Sequence, residues 1–191
     1  MDGRQVAVIE AGYRHLLPWF LPGTAVFVAL GLAVARPVAR LLHTRFSVAW
    51  VLIAGLGMIV SATLTPLRGQ LNFAAVGGTC DLSRMGLAPL RQLLHLGDAS
   101  LNVFLFIPFG AAIGLVGGSR PKAVLIVAAI ALPFAIETTQ LLVPALERGC
   151  QSADVFDNLT GLAVGLAFGT IGRWLTATPT ANGSQSATGP D

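Results

Sequence analysis

Residues 123–143 read AVLIVAAIALPFAIETTQLLV, and this stretch decides the class of fold. No charged side chain occurs in it before Glu137. A helix of about 20 mostly apolar residues is long enough to cross the hydrocarbon core of a bilayer. The stretch therefore predicts a membrane-spanning helix, and Glu137 is a carboxylic acid placed well inside it.

The rest of the chain continues this pattern. Of its 191 residues, 54% are hydrophobic and only 11% are charged, and the mean hydropathy is +0.73. A soluble domain carries roughly 25% charged residues, so this chain could not cover a water-facing surface of its size. The composition excludes a cytosolic enzyme, a secreted disulfide scaffold and a disordered chain. Membrane spans are predicted at residues 16–35, 48–64, 99–118, 123–143 and 159–175.

We therefore expect an all-α fold, a polytopic integral membrane bundle of about five helices within residues 1–175. Residues 176–191, TATPTANGSQSATGPD, are small and polar without an apolar period, and they predict a disordered tail. The first span has an alternative interpretation, because Ala33-Val34-Ala35 resembles a signal-peptide cleavage site. Its apolar run exceeds the usual ~7–15 residues of a signal core, which favours a retained helix.

The basic residues predict the orientation in the cell membrane. Five spans place the two termini on opposite sides of the membrane, and the segments on each side hold six Lys or Arg residues. The two short loops at 36–47 and 119–122 hold five basic residues and no acid. Basic residues concentrate in short cytoplasmic loops, so we expect the N-terminus outside and the C-terminus in the cytoplasm. The net charge of +3 comes from scattered residues, and no basic stripe indicates nucleic acid.

The two cysteines both lie in predicted outer loops. Cys80 is in the long loop 65–98 and Cys150 is in the short loop before the fifth span. Thiols outside the cytoplasm can oxidise, and a disulfide would tie the long loop to the mouth of the bundle. The alternative is two unpaired thiols too far apart to bridge, and the sequence leaves both open.

A line of small and polar residues runs along the fifth span at helical spacing. Gly161, Gly165 and Gly169 repeat every four residues, a pattern that lets another helix backbone approach closely. Asp154 and Asn158 continue the same face. We expect this face to point into protein, and to pack within the chain rather than against a second copy, because its polar residues need nearby partners.

Other spans carry polar groups near the same end. Asp98 and Asn102 are spaced i and i+4, and Glu137 and Gln140 are spaced i and i+3. Ionisable groups inside spans usually face the bundle interior, which predicts one outward-facing cluster. Its members are Asp98, Asn102, Glu137, Gln140, Arg148, Asp154 and Asn158. Three carboxylates against one arginine leave an excess negative charge, so we expect Glu137 to be protonated or paired with Arg148.

The same residues carry a family resemblance. The first signature is Asp98-x3-Asn102-x3-Phe106-x-Pro108-x-Gly110, and the second is Glu137-x2-Gln140 followed by Arg148-x5-Asp154-x3-Asn158-x2-Gly161. Together with Thr63-Leu64-Thr65-Pro66, they resemble the VanZ-like membrane proteins. Gln151 departs from the pattern, since many members have an acid there. The resemblance implies a cell-envelope protein with a contribution to resistance against the glycopeptide antibiotic teicoplanin.

Three interpretations of the cluster remain open. It is a structural set of polar contacts that fixes helix register, a binding site for an envelope ligand, or the site of an intramembrane enzyme. The ligand would be a lipid-linked precursor or a glycopeptide. The three histidines are scattered, and no hydrolase, zinc-protease or phosphate-loop motif is present. We predict no metal and no cofactor, and the oligomeric state is not predicted.

Overall fold

The structure is a computed structural model that describes residues 18–66, 79–95 and 97–177. Five long helices and one short helix lie within these residues, and a 3-10 turn follows the fourth long helix at Pro144–Leu146. We number the helices α1 (Phe20–Leu41), α2 (Phe46–Thr63), α3 (Leu90–Leu93), α4 (Asp98–Leu115), α5 (Ser119–Leu142) and α6 (Ser152–Ala177). All except α3 are long and apolar enough to cross a membrane, which confirms the predicted five-span bundle.

Two helices are longer than the apolar runs that predicted them. The α6 helix begins at Ser152 rather than at residue 159, and α1 continues through Pro37 to Leu41. Counting apolar residues misses polar helix ends, which extend beyond the hydrocarbon core. Asp154 and Asn158 lie on the first two turns of α6, on the helix whose face they were expected to continue. Residues 178–191 of the predicted tail lie outside the described residues.

The α4 and α6 helices form the central pair of the bundle. A Cβ added at Gly161, Gly165 or Gly169 would collide with a backbone carbonyl oxygen of α4, namely that of Val103, Ile107 or Ala111 respectively. Gly110 and Gly114 of α4 lie equally close to the backbone of α6. Small residues allow this approach of two backbones in a membrane. The glycine face therefore packs against a helix of the same chain.

The remaining helices surround this pair unequally. Phe106 and Ile113 of α4 form one core with Ile59 of α2, Ile136 of α5 and Leu162 of α6. The α1 helix instead packs on α2 through a separate small cluster of alanines. Only 11% of the residues in the most apolar part of α1 are buried inside the protein. It therefore lies at the periphery, and the other four long helices position the polar residues.

The two ends of the bundle differ in charge. One end, the basic end, holds Arg36, Arg40, Arg45, Arg120, Lys122 and Arg173. There Lys122 Nζ donates to the Gly114 carbonyl at 2.8 Å and Arg173 donates to the Val116 carbonyl at 2.8 Å, so both cations bind the C-terminal carbonyls of α4. Every acid of the described residues lies toward the opposite end, the acidic end: Asp81, Asp98, Glu137, Glu147, Asp154 and Asp157.

Candidate functional site

The acidic end is covered by residues 79–95, which we call the cover segment. A disulfide joins Cys80 to Cys150, with the two Cα atoms 4.7 Å apart. Next to it, the Asp81 amide donates to the Cys150 carbonyl at 2.8 Å, and the Ser152 amide donates to the Asp81 carbonyl at 2.9 Å. These bonds form an isolated parallel bridge between Asp81 and Gln151. The cover segment is thus fastened to the N-terminal end of α6.

Replacing both cysteines by serine is expected to lower the free energy of unfolding by roughly 2 kcal/mol, the low end of the usual range for a disulfide. The bond spans 70 residues of sequence, but membrane spans already restrict the unfolded chain between them. Thermal denaturation of purified protein in detergent measures the loss. The single Cys80→Ser variant should show the same loss, and an unchanged midpoint for both variants would contradict the prediction.

An ion pair that the sequence did not predict holds the middle of the cover segment. Arg84 Nη1 donates to Asp157 Oδ1 at 3.0 Å, and Nη2 donates to the other carboxylate oxygen. Asp157 is only 1% exposed, and this hydrogen bond raises the pKa of Arg84. The Ser152 hydroxyl also donates to the Arg84 carbonyl at 2.8 Å. Asp157 lies one turn from Asp154, a spacing that could have indicated it, whereas nothing in the sequence marks Arg84.

A cavity of about 450 Å³ lies between the cover segment and the helix ends. Two members of the predicted cluster, Asp98 and Asp154, line it. Asn102 of α4 lies beside Asp154 of α6 but does not line the cavity. The full lining consists of Asp81, Ser83, Arg84, Arg91, Gln92, His95, Gly97, Asp98, Ala99, Gln151, Ala153, Asp154 and Asp157.

Three other members of the cluster bind backbone groups instead of lining the cavity. Arg148 Nε donates to the Thr65 carbonyl at 3.0 Å, and its Nη2 donates to the Ala62 carbonyl. Gln140 Nε2 donates to the Thr63 carbonyl at 2.9 Å. The last carbonyls of a helix have no partner within it and carry partial negative charge, so these side chains cap the end of α2.

Glu137 performs the converse role at the start of α6. It is buried, and its carboxylate accepts a hydrogen bond of 2.7 Å from the amide of Gln151. Amides at a helix N-terminus carry partial positive charge and favour a carboxylate. Glu137, Gln140 and Arg148 therefore fasten helix ends to one another, and we call them the fastening group.

The expected ion pair between Glu137 and Arg148 is absent from the described residues. The guanidinium of Arg148 instead donates to the carbonyls of Ala62, in the last turn of α2, and Thr65, just after that helix. Burial lowers the pKa of Arg148, while the nearby carboxylates of Asp154 and Glu137 oppose that shift. An arginine keeps its charge under such conditions. The other expected outcome, a protonated Glu137, stays a prediction.

Two buried acceptors of the cluster have no hydrogen-bond partner in the described part of the chain. They are Oδ1 of Asn158, a residue that is 1% exposed, and Oε1 of Gln140. Asn158 does not line the cavity and lies one turn farther into the bundle than Asp154. The predicted cluster is therefore divided into a cavity group (Asp98 and Asp154, with Asn102 beside Asp154), the fastening group, and Asn158, which is buried below them.

The charges around the cavity favour a cationic group. Since Asp157 neutralises Arg84, the unpaired charges of the lining are Asp81, Asp98 and Asp154 against Arg91. Hydrogen bonds from Ser83 lower the pKa of Asp81, which keeps this carboxylate ionised at neutral pH. No group of three or more His, Cys, Asp or Glu side chains suited to a metal ion occurs in the residues that the structure covers.

Comparison with known proteins places this arrangement in a family. A family model described as VanZ/LLP1 matches residues 57–173, which include α4, α5, most of α6 and the whole cavity lining. None of the curated proteins or solved structures compared with the chain matches it.

Proposed function

This chain belongs to the VanZ/LLP1 family, and from that premise we propose that its cavity binds a small component of the cell envelope and so reduces susceptibility to teicoplanin. The observation that carries the proposal is the cavity of about 450 Å³ with charged walls at one end of a membrane bundle. Ligand pockets commonly measure about 300–1,000 Å³. The link to teicoplanin comes from the resemblance to VanZ-like proteins.

The proposal places the acidic end outside the cell. The basic end carries six Lys or Arg residues and no described acid, as the positive-inside rule requires of a cytoplasmic face. The disulfide at the acidic end agrees with an oxidising compartment. The N-terminus is then outside and the C-terminus is in the cytoplasm.

The structural interpretation accounts for the fastening group but not for the cavity. Glu137, Gln140 and Arg148 all bind backbone atoms, which is what helix fastening requires. Asp98 and Asp154 instead line an open space, where they can meet a ligand. We therefore assign binding to the cavity group and helix register to the fastening group.

Asp154→Asn is expected to abolish the effect of the protein on teicoplanin susceptibility while leaving its abundance unchanged. The change removes one cavity charge and keeps the side-chain shape. Glu147→Gln is the matched control, since Glu147 is an exposed acid at the same end that does not line the cavity. Growth inhibition by teicoplanin, cell-bound fluorescent teicoplanin and membrane abundance are measured for the unmodified protein, both variants and cells without the protein.

The control should behave as the unmodified protein in all three measurements. A full effect on susceptibility and antibiotic binding in Asp154→Asn, at equal abundance, would contradict the role of the cavity. No effect of the unmodified protein itself would remove the teicoplanin function. Incubating purified protein with lipid-linked cell-wall precursors then distinguishes binding from catalysis, because stoichiometric protection indicates a binder and turnover indicates an enzyme.

A further inference from the structure

The cover segment separates apolar and polar side chains. Five large apolar side chains between 60% and 75% exposed occur in it: Leu82, Met85, Leu87, Leu90 and Leu94. Polar residues that alternate with them line the cavity instead: Ser83, Arg84, Arg91, Gln92 and His95. The cover segment is therefore amphipathic, and its polar side chains line the cavity.

These apolar side chains lie at the end of a membrane bundle. Moving large apolar side chains out of water is favourable, so five of them exposed to water would leave the cover segment less stable than if lipid covered them. The chain leads from the cover segment into α4, where Leu101 and Phe104 are also exposed. A lipid environment that surrounds α4 and extends to the cover segment would bury both sets. Amphipathic helices lie in the membrane interface because their apolar and polar side chains are separated, and the cover segment has the same separation.

The cavity then opens at the level of lipid headgroups. Its unpaired charges are the three carboxylates of Asp81, Asp98 and Asp154 and the guanidinium of Arg91. Arg91 is exposed and belongs to the cover segment, whereas Asp98 and Asp154 begin α4 and α6. This arrangement fits a ligand with an ammonium group among the carboxylates and a phosphate at Arg91.

We propose that the cover segment lies in the outer-leaflet interface and that the cavity holds the headgroup of a bilayer lipid that carries both an amine and a phosphate. The acyl chains leave along the exposed leucines of the cover segment. This inference rests on the proposed function, since it names the class of ligand for the same cavity.

The first experiment tests the position of the cover segment. A fluorescent maleimide is attached to Met85→Cys, with the native disulfide kept oxidised, in vesicles that contain lipids spin-labelled near the headgroup. Glu147→Cys is the matched control, because Glu147 is exposed at the same end outside the cover segment. We expect a blue-shifted and strongly quenched probe at residue 85 and little quenching at residue 147. Equal, weak quenching at both positions would overturn the interfacial placement.

The second experiment tests the headgroup. Phosphatidylethanolamine or phosphatidylglycerol with identical acyl chains is added to the purified protein in detergent, and thermal stabilisation is followed with lipid concentration. We expect half-maximal stabilisation at about tenfold lower concentration with the amine-bearing lipid, a difference of about 1.4 kcal/mol. Asp154→Asn should remove this preference and Glu147→Gln should keep it. Asp98→Asn, at an exposed position of the cavity wall, is the second test variant.

Equal stabilisation by the two lipids would overturn the headgroup assignment, as would a preference that survives both cavity substitutions. The two proposals can fail separately. A lipid preference without any teicoplanin effect would overturn the proposed function and keep the lipid site. A teicoplanin effect that requires Asp154, without any lipid preference, would overturn the lipid site and keep the proposed function.

Discussion

Gly165→Leu is expected to prevent the bundle from packing and to lower the free energy of unfolding by more than about 3 kcal/mol. A Cβ at this position would meet the Ile107 carbonyl oxygen, and it would lie 2.8 Å from the Ala111 amide nitrogen and 3.0 Å from the Gly110 Cα. Overpacking a core costs typically about 1–3 kcal/mol when side chains can shift. Here the colliding atoms are backbone, so α4 and α6 must separate along their contact.

Gly172→Leu provides the control on the same helix. Gly172 continues the glycine spacing, but a Cβ added there has nothing within 4 Å. Both substitutions improve helix propensity, because glycine is about 0.8–1.0 kcal/mol less favourable than alanine inside a helix and leucine is close to alanine. The two variants therefore differ in the contact with α4. Size-exclusion profiles and thermal midpoints in detergent compare them, and equal midpoints would show that the glycines do not set the helix approach.

The contrast between Gly165 and Gly172 also illustrates what the sequence can predict. A spacing of four residues identifies one helix face, so the close approach along Gly161, Gly165 and Gly169 was predictable. Gly172 follows Gly169 by three residues and so lies on the same helix face, yet it is beyond the contact with α4. Periodicity gives the direction of a residue around the helix, but it does not show how far along the helix the partner extends.

The spans themselves were predictable for a simple reason. Lipid requires long apolar runs, and such runs are visible in any sequence. The apolar run of the fifth span begins only at residue 159, because the first turns of α6 contain the polar residues Ser152, Asp154 and Asn158. The earlier start of this helix was nevertheless indicated, because Asp154 and Asn158 continue its glycine face. At the acidic end, this helix also forms hydrogen bonds with the cover segment, which involve residues distant in sequence.

The partners of the polar residues were the least predictable feature. The sequence marks Arg148 and Glu137 as costly groups that need partners, and it suggests pairing them with each other. Their partners are backbone groups at the ends of α2 and α6, which carry no side-chain signal. The pairing of Arg84 with Asp157 depends in the same way on how the cover segment folds back over the bundle.

Arg148→Met is expected to destabilise the protein by about 3 kcal/mol, because a hydrogen bond from a charged group contributes about 1.5–3 kcal/mol and the substitution removes two of them. Methionine retains most of the side-chain length and removes the charge. The carbonyls of Ala62 and Thr65 would lose their donors, and the nearby carboxylates of Glu137 and Asp154 would lose the cation beside them. Arg148→Lys should recover part of the loss, since an ammonium keeps the charge without the two-armed geometry of a guanidinium.

Arg91→Met, measured in detergent without added lipid, is the control for the loss of a positive charge at the acidic end, because Arg91 is exposed and lines the cavity rather than the end of α2. Its thermal midpoint should equal that of the unmodified protein. If Arg148→Met were as stable as Arg91→Met, the end of α2 would not depend on the guanidinium, and the fastening role would be wrong. A large loss in Arg148→Met alone would instead show that one half-buried cation holds the end of α2 against the loop between α5 and α6.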